Sequence, residues 1–470
     1  MADEKLMSDV EKYVDEVWED VVADIDDLIQ VESVEDRDHA AEGMPFGPAP
    51  REALDRALAM AERLGLKTTN CDGWIGFGDI EGKAGQIATI AHTDIVPVGL
   101  GWHCDPLKLT RKDGFLIGRG VMDDKGPFVL SLYAAHYLKR LSDASGEPLP
   151  HTLRCIVGCN EETGMADVDY YLAHYDEPDF LFTPDADFPL ICGEKGRVQA
   201  AFTSADLTGG RIAELDGGTV ANAVCGLATA LVSADADALP AADAIDVEAA
   251  GEGMVRLTAH GKGGHASMPA GTVNAIGLLV DYLLDNGVCS DAERDYLELE
   301  RKIMGSTDGS TLGIAATDKV FDPLTCIGGT VRTKDGRITQ TIDSRYPSSI
   351  TSDAIEKALR EVAEAHDATL EIQSATDPFL TDPDSPEVKT LVATNNELTG
   401  SDGHAFTIGG GTYARHFRRA AAFGPNDPGF EFPDWVGPEH GPDEGIAESQ
   451  LKLALKIYIV GLVRLMGLAE

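Results

Sequence analysis

Four short segments carry side chains suited to holding a metal ion and moving a proton. Ala91-His92-Thr93-Asp94 follows the apolar run Ile87 to Ile90, and on an extended chain His92 and Asp94 point the same way. A metal-ligating imidazole commonly donates its second N–H to a carboxylate or carbonyl, so a nearby acid orients the ring. In Gly118-Arg119-Gly120-Val121-Met122-Asp123-Asp124-Lys125-Gly126-Pro127 the glycines let the backbone turn sharply, and Asp124 can cap the helix that Pro127 starts. Asp123 is then a carboxylate aimed away from that helix. Asn160-Glu161-Glu162-Thr163-Gly164 sets two adjacent acids at a strand end, where one can bind metal while the other takes and returns a proton. Phe182-Thr183-Pro184-Asp185 places one more acid directly after an apolar strand.

Taken singly, each segment has a plain explanation as a solvated strand end or a capped helix. Together, strand ends supplying His, Asp, Glu and Asp form a nitrogen- and oxygen-donor set suited to zinc, manganese or cobalt. Their co-occurrence is what points to a metal site.

The elements that must position these residues read as alternating strands and helices. Gln86 to Ala91, Thr152 to Gly158 and Phe180 to Thr183 are short apolar strands. Arg51 to Leu64, Gly126 to Leu141 and Ala166 to His174 have helical texture, the first stopping at Gly65 and the second holding Pro127 in its first turn. That rhythm predicts an α/β sheet, mixed but mostly parallel and covered by helices, with ligands gathering beyond the carboxyl ends of the strands. Ahead of it, Val10, Tyr13, Val14, Val17, Trp18, Val21, Ile25, Leu28 and Ile29 recur at steps of three and four, giving a docked helix. After about Arg197 the texture turns Gly-, Ala- and Asp-rich, with a strand at Met254 to Ala259 and a helix at Ala275 to Asp285. A Pro- and Asp-rich stretch at Asp377 to Ser385 marks the return, and Glu448 to Leu465 closes the first domain as a long helix. The predicted organisation is a catalytic domain in two parts, 1–197 and 379–470, interrupted by an α+β domain at 198–378.

Composition removes several functions. Against 80 Asp and Glu there are only 38 Lys and Arg, a formal charge of −42, which repels phosphate backbones and anionic membrane surfaces. Nucleic acid and membrane partners are therefore not expected, and the acidity reads as a solvated surface that also suits a salty medium. Ile457 to Val463, bounded by Lys456 and Arg464, is far shorter than the ~20 residues of a membrane span. The opening Met-Ala-Asp-Glu-Lys lacks the basic start and apolar run of an export signal, so a cytoplasmic location is expected. Eight scattered cysteines then read as reduced thiols. Cys155 and Cys159 have zinc-ligand spacing, but no second Cys or His pair follows them.

In this order, the segments resemble the metallopeptidase family that includes aminoacylases, glutamate-releasing carboxypeptidases, succinyl-diaminopimelate desuccinylase and carnosinases. Asp-Asp-Lys-Gly-Pro at 123–127, Asn-Glu-Glu-Thr-Gly at 160–164, Pro-Asp-Ala-Asp-Phe-Pro at 184–189, Gly-Glu-Lys-Gly at 193–196 and Gly-Gly-Gly-Thr-Tyr-Ala-Arg at 409–415 are most similar to monomeric bacterial dipeptidases of the PepV type. The resemblance implies a monomer that hydrolyses dipeptides with two divalent ions, zinc first and manganese or cobalt as alternatives. It also implies roles: Asp123 bridges the ions, His92 and Asp185 complete one site, and Glu162 with a late histidine completes the other. Glu161 is the general base and Asp94 its companion. His440 in Gly437-Pro438-Glu439-His440-Gly441-Pro442 matches the late histidine best, with His416 and His404 as rivals.

From the inserted domain, the resemblance adds His265, in Gly264-His265-Ala266-Ser267, as a stabiliser of the oxyanion. It adds Arg345, in Ser344-Arg345-Tyr346, as a bidentate grip on the substrate carboxylate, and Asn222 as a polar partner. Cys225 stands where relatives usually carry proline, a departure in the Asn222 loop. The alternatives are an N-acyl amino-acid amidohydrolase on the same site and a non-catalytic binding protein on the same fold. The length of 198–378 exceeds what a small dimerisation lid needs and favours the dipeptidase.

Overall fold

Helix Ala2–Ile29 forms because its apolar residues recur on one stripe, and Val10, Val14, Trp18, Val21, Ile25 and Leu28 of that stripe are buried. In the computed structural model, which describes residues 2–468, the chain divides into two compact units. The first comprises Met1–Cys192, Leu380–Phe406 and Gly411–Glu470; the second comprises Gly193–Phe379 and Thr407–Gly410. Among the described residues no helix is long and apolar enough to cross a membrane.

The first unit is built on a nine-stranded sheet whose order begins Lys67–Cys71, Ile75–Ile80, Thr152–Gly158, Gln86–His92, Phe180–Thr183, Ala420–Ala422. The last four of these run parallel to one another, while Lys67–Cys71 and Ile75–Ile80 are antiparallel. The sheet is therefore mixed, with its parallel part at the centre. This follows from chain connectivity: Lys67–Cys71 and Ile75–Ile80 are joined by a tight turn, which allows only antiparallel pairing. Helix Lys125–Ser145 buries Phe128, Val129, Leu130 and Leu132, and Glu448–Leu465 is buried along most of its length, including Leu455, Ile459 and Leu462. Helix Pro48–Arg63 ends before Gly65, whose φ of 91° no β-carbon would tolerate cheaply. A separate three-stranded sheet, Gly445–Ala447, Phe115–Ile117 and Thr110–Lys112, carries two loops of interest, 118–124 and 437–444.

The second unit is an antiparallel eight-stranded sheet in the order Ile245–Gly251, Met254–His260, Leu227–Ser233, Ile212–Gly217, Thr325–Lys334, Arg337–Tyr346, Gly196–Thr203, Thr369–Thr376. Helices Ala275–Asp285, Asp291–Met304 and Ser352–Glu364 share its apolar core. Ser290 and Glu293 form a reciprocal capping box at the start of Asp291–Met304.

That helix also buries Glu300 completely, and burial pushes its carboxyl up to about 8. A folded-state value above that of the unfolded chain means that the protonated acid stabilises the fold fully below the unfolded value, and that this contribution is lost as pH rises toward 8. Glu300→Gln is therefore expected to leave urea stability nearly unchanged at pH 5 and to raise it by on the order of 4 kcal/mol at pH 9. Equal shifts at the two pH values would contradict the assignment.

Candidate metal centre

Three neighbouring parallel strands end at one place. His92 closes Gln86–His92 and lies level with Gly158 of the adjacent strand, which runs into Glu161 and Glu162. Asp185 follows Phe180–Thr183 on the other side. The loops 118–124 and 437–444 then add Asp123 and His440.

Two groups of donors result. His92, Asp123 and Asp185 place one ligand atom each within 4.8 Å of one another, and so do Asp123, Glu162 and His440. Asp123 belongs to both. Its Oδ1 lies 3.0 Å from His92 Nε2 and its Oδ2 lies 2.7 Å from His440 Nε2. Asp185 Oδ2 is 3.8 Å from His92 Nε2, and Glu162 Oε1 is 3.2 Å from His440 Nε2.

The ring of His92 is fixed by its other nitrogen. Nδ1 lies 3.0 Å from the backbone carbonyl of Asp94, and a carbonyl can only accept, so Nδ1 carries hydrogen and Nε2 faces the carboxylates. The Asp94 carboxylate, whose Oδ1 lies 3.4 Å from the same Nδ1, also holds the neighbouring turn. Its two oxygens accept the backbone N–H groups of Glu161 (3.1 Å) and Glu162 (3.0 Å), setting the turn that presents both glutamates. Asp124 corrects the sequence reading. It stands at the N-cap of Lys125–Ser145, but its carboxylate makes no cap bond and instead accepts the backbone N–H of His92 at 3.0 Å. A buried strand-end amide needs a partner, and the tertiary bond displaces the local one. The Asp123–Asp124 peptide is cis.

Electrostatically the site is crowded with acids. Burial, then repulsion from Asp185, holds the Glu161 carboxyl well above the usual range, and burial with repulsion from Asp123 does the same for Asp185. Glu162 is raised by burial and Asp123. Burial also works against ionisation of Asp123, but hydrogen bonds from His440 and His92 outweigh it and hold that carboxyl below the ordinary value. Burial would favour neutral His440, yet Asp123 and Glu162 lift its ring to about 11. Two imidazoles and three carboxylates, one of them shared, packed closely with their acids repelling one another, have the donor chemistry that divalent cations satisfy.

The rival histidines lie apart. His416 sits 3.5 Å from Asp169, and His404 is on an exposed loop. Cys155 and Cys159 are buried free thiols.

Within the second unit, Ala223–Val224 pairs with Gly264–His265, and Ala266 N–H donates to the Asn222 carbonyl at 2.9 Å. Asn222 and His265 are thus neighbours, with His265 exposed and its Nδ1 2.7 Å from Ser267 Oγ. Arg345 is buried, and Nε and Nη2 of its fork are turned on Asp343 at 2.6 and 3.3 Å while Nη1 donates to Gly409 O. Sequence reasoning did not single out Asp343, nor Asp167, which accepts the N–H groups of Cys159 and Asn160 and the hydroxyl of Tyr413. It also passed over Arg119 and Glu444, a buried pair whose one local signal was a basic residue flanked by glycines and an acid four places after His440.

The sequence profile of Peptidase family M20/M25/M40 matches residues 88–460. A Bacillus subtilis (strain 168) protein named putative dipeptidase YtjP is 31% identical over 462 residues, covering 94% of this chain and 96% of its own. Beta-Ala-Xaa dipeptidase of Lactobacillus delbrueckii subsp. lactis is 28% identical, covering 93% and 94%. Among solved structures, human carnosine dipeptidase 1 superposes with a TM-score of 0.60 at 15% identity, covering 98% of this chain and 99% of that one. The dipeptidase Dug1p of Saccharomyces cerevisiae gives 0.60 at 13% identity, covering 98% of each. At these identities the structural matches speak for the fold.

Proposed function

Since the chain belongs to the peptidase family M20/M25/M40 and is therefore a metallopeptidase, we propose that it is a cytoplasmic, monomeric dipeptidase working with two divalent ions. The observation that carries this reading is the division of Asp123, one oxygen to each donor group. His92 and Asp185 would hold one ion, Glu162 and His440 the other, with Asp123 between them. Zinc suits the donors best, and manganese or cobalt would also be accepted. When bound, such ions polarise the scissile carbonyl and make water acidic enough to attack near neutral pH.

The chain's own groups do the rest. Glu161, outside both donor groups and on the turn whose backbone Asp94 holds, takes the proton of the attacking water and returns it to the departing amine. Asp94 keeps His92 and both glutamates in register. By motif, His265 is assigned to the oxyanion, Arg345 to the substrate carboxylate and Asn222 to a further polar contact. The Arg345 fork, already braced by Asp343, is preorganised for planar recognition. Residues 1–197 and 379–470 would form the catalytic domain and 198–378 the lid.

The test is a panel of alanyl and β-alanyl dipeptides set against acetylated amino acids, with zinc, manganese and cobalt in turn. Dipeptides are expected to be preferred in kcat/KM by on the order of 100-fold. Preference for acetylated substrates would make the protein an N-acyl amino-acid amidohydrolase. Metal binding without turnover of any substrate would make it a binding protein.

A further inference from the structure

Strands Phe115–Ile117 and Gly445–Ala447 pair antiparallel, so the loop that leaves the first and the loop that enters the second lie side by side. One loop carries Asp123 and the other His440. Between them, Arg119 and Glu444 are buried to 1% and 0% exposure and joined by a 2.5 Å bond from Nη1 to Oε2.

We infer that Arg119 and Glu444 are positioning residues that hold Asp123 and His440 at a fixed separation, and thereby set the affinity of the cation site formed by Asp123, Glu162 and His440. This rests on the two-ion reading above. Oε1 of Glu444 accepts the backbone N–H groups of Gly120 (3.0 Å), Met122 (3.0 Å) and Asp123 (3.3 Å), so the loop is wound around this one oxygen. The Glu444 carbonyl accepts the N–H of Gly118 as well. From the other side, Nη2 of Arg119 donates to the carbonyl of His440 at 3.1 Å. The ring of Trp102 lies 5.3 Å from the guanidinium.

Two features separate this from ordinary packing. His440 has a φ of 62°, in the left-handed region that a residue with a β-carbon occupies only when its surroundings hold it there, and the Arg119 bond falls on that residue's own carbonyl. Buried ion pairs are also poor stabilisers compared with apolar side chains of similar volume, so the pair is not needed for the core as such. Its bonds end on the backbone of Asp123 and of His440, the two residues whose side chains face each other at 2.7 Å. His92 and Asp185 stand at the ends of sheet strands and do not depend on it.

The group with two donors on these loops, Asp123 and His440, should therefore lose more affinity than the group that has only Asp123 there. Apoprotein is titrated with cobalt, following its visible absorption and competition with a chelator, for the wild type, for Arg119→Lys, and for Arg119→Met combined with Glu444→Gln. The combined change removes both charges together and leaves no uncompensated one; Arg119→Lys keeps the charge but shortens the fork that reaches His440. Expected is one equivalent weakened 10- to 100-fold, the range for residues that orient metal ligands, and the other weakened clearly less. A thermal unfolding midpoint near that of the wild type identifies a folded variant. Either variant, folded and binding both equivalents with wild-type affinity and spectrum, would overturn the inference. Fewer than two equivalents on the wild type would instead remove the two-ion reading beneath it.

Discussion

Asp123→Ala is expected to empty both cation sites and abolish turnover in one step. Each donor group has three members, and Asp123 is the one they share. Its loss leaves His92 with Asp185 on one side and Glu162 with His440 on the other, two protein ligands where a catalytic zinc takes three. After dialysis, elemental analysis should find well under one ion per chain, and kcat/KM should fall by on the order of 10⁴-fold or more, toward the uncatalysed background. Folding should survive. Asp123 raises the carboxyls of Asp185, Glu162 and Glu161 but is itself held ionised by His92 and His440, so its removal exchanges relieved repulsion for two lost imidazole partners in the apoprotein. Circular dichroism in chelator should match that of wild-type apoprotein. Two equivalents still bound to the variant would remove Asp123 from the bridging position.

Much of the first unit was legible because parallel strands buried on both faces read as short apolar runs, and the residues just after such a run are those the sheet presents at its carboxyl edge. His92 and Asp185 are of that kind, and so is the turn holding Glu161 and Glu162. The helix ends at Gly65 and around Pro127 were legible for local steric reasons. The remainder depended on partners far along the chain. That the Asp124 carboxylate would accept the N–H of His92 instead of capping its own helix cannot be read from a local pattern, since the competing amide lies 32 residues away. Glu444 reaches Asp123 across 321 residues and looked like one acid in an acidic segment. Among the late histidines, spacing alone did not separate His440 from His404 and His416. Only the pairing of Phe115–Ile117 with Gly445–Ala447 carries the 437–444 loop to Asp123. Antiparallel edges such as Lys67–Cys71 with Ile75–Ile80 were likewise hidden, because their direction is set by turn length and not by hydrophobic period.

Glu161→Gln separates chemistry from metal binding. Glutamine matches glutamate in size and keeps the backbone N–H that Asp94 accepts at 3.1 Å, so the turn should hold. Because Glu161 belongs to neither donor group, both cations should remain. The variant loses the ability to take a proton from the attacking water and hand it to the leaving amine, and kcat should fall by about 10²- to 10⁴-fold with little change in KM. The pH profile gives an independent sign. A base must be ionised to act, so wild-type kcat should drop as pH falls through the value of Glu161 in the loaded site. The residual activity of Glu161→Gln should lack that acidic limb. Metal content is measured on the same sample, since a variant that has lost its ions would show the same loss of rate for a different reason. A variant carrying two equivalents and turning over at the wild-type rate would exclude Glu161 as the base and leave proton transfer to another carboxylate of the site.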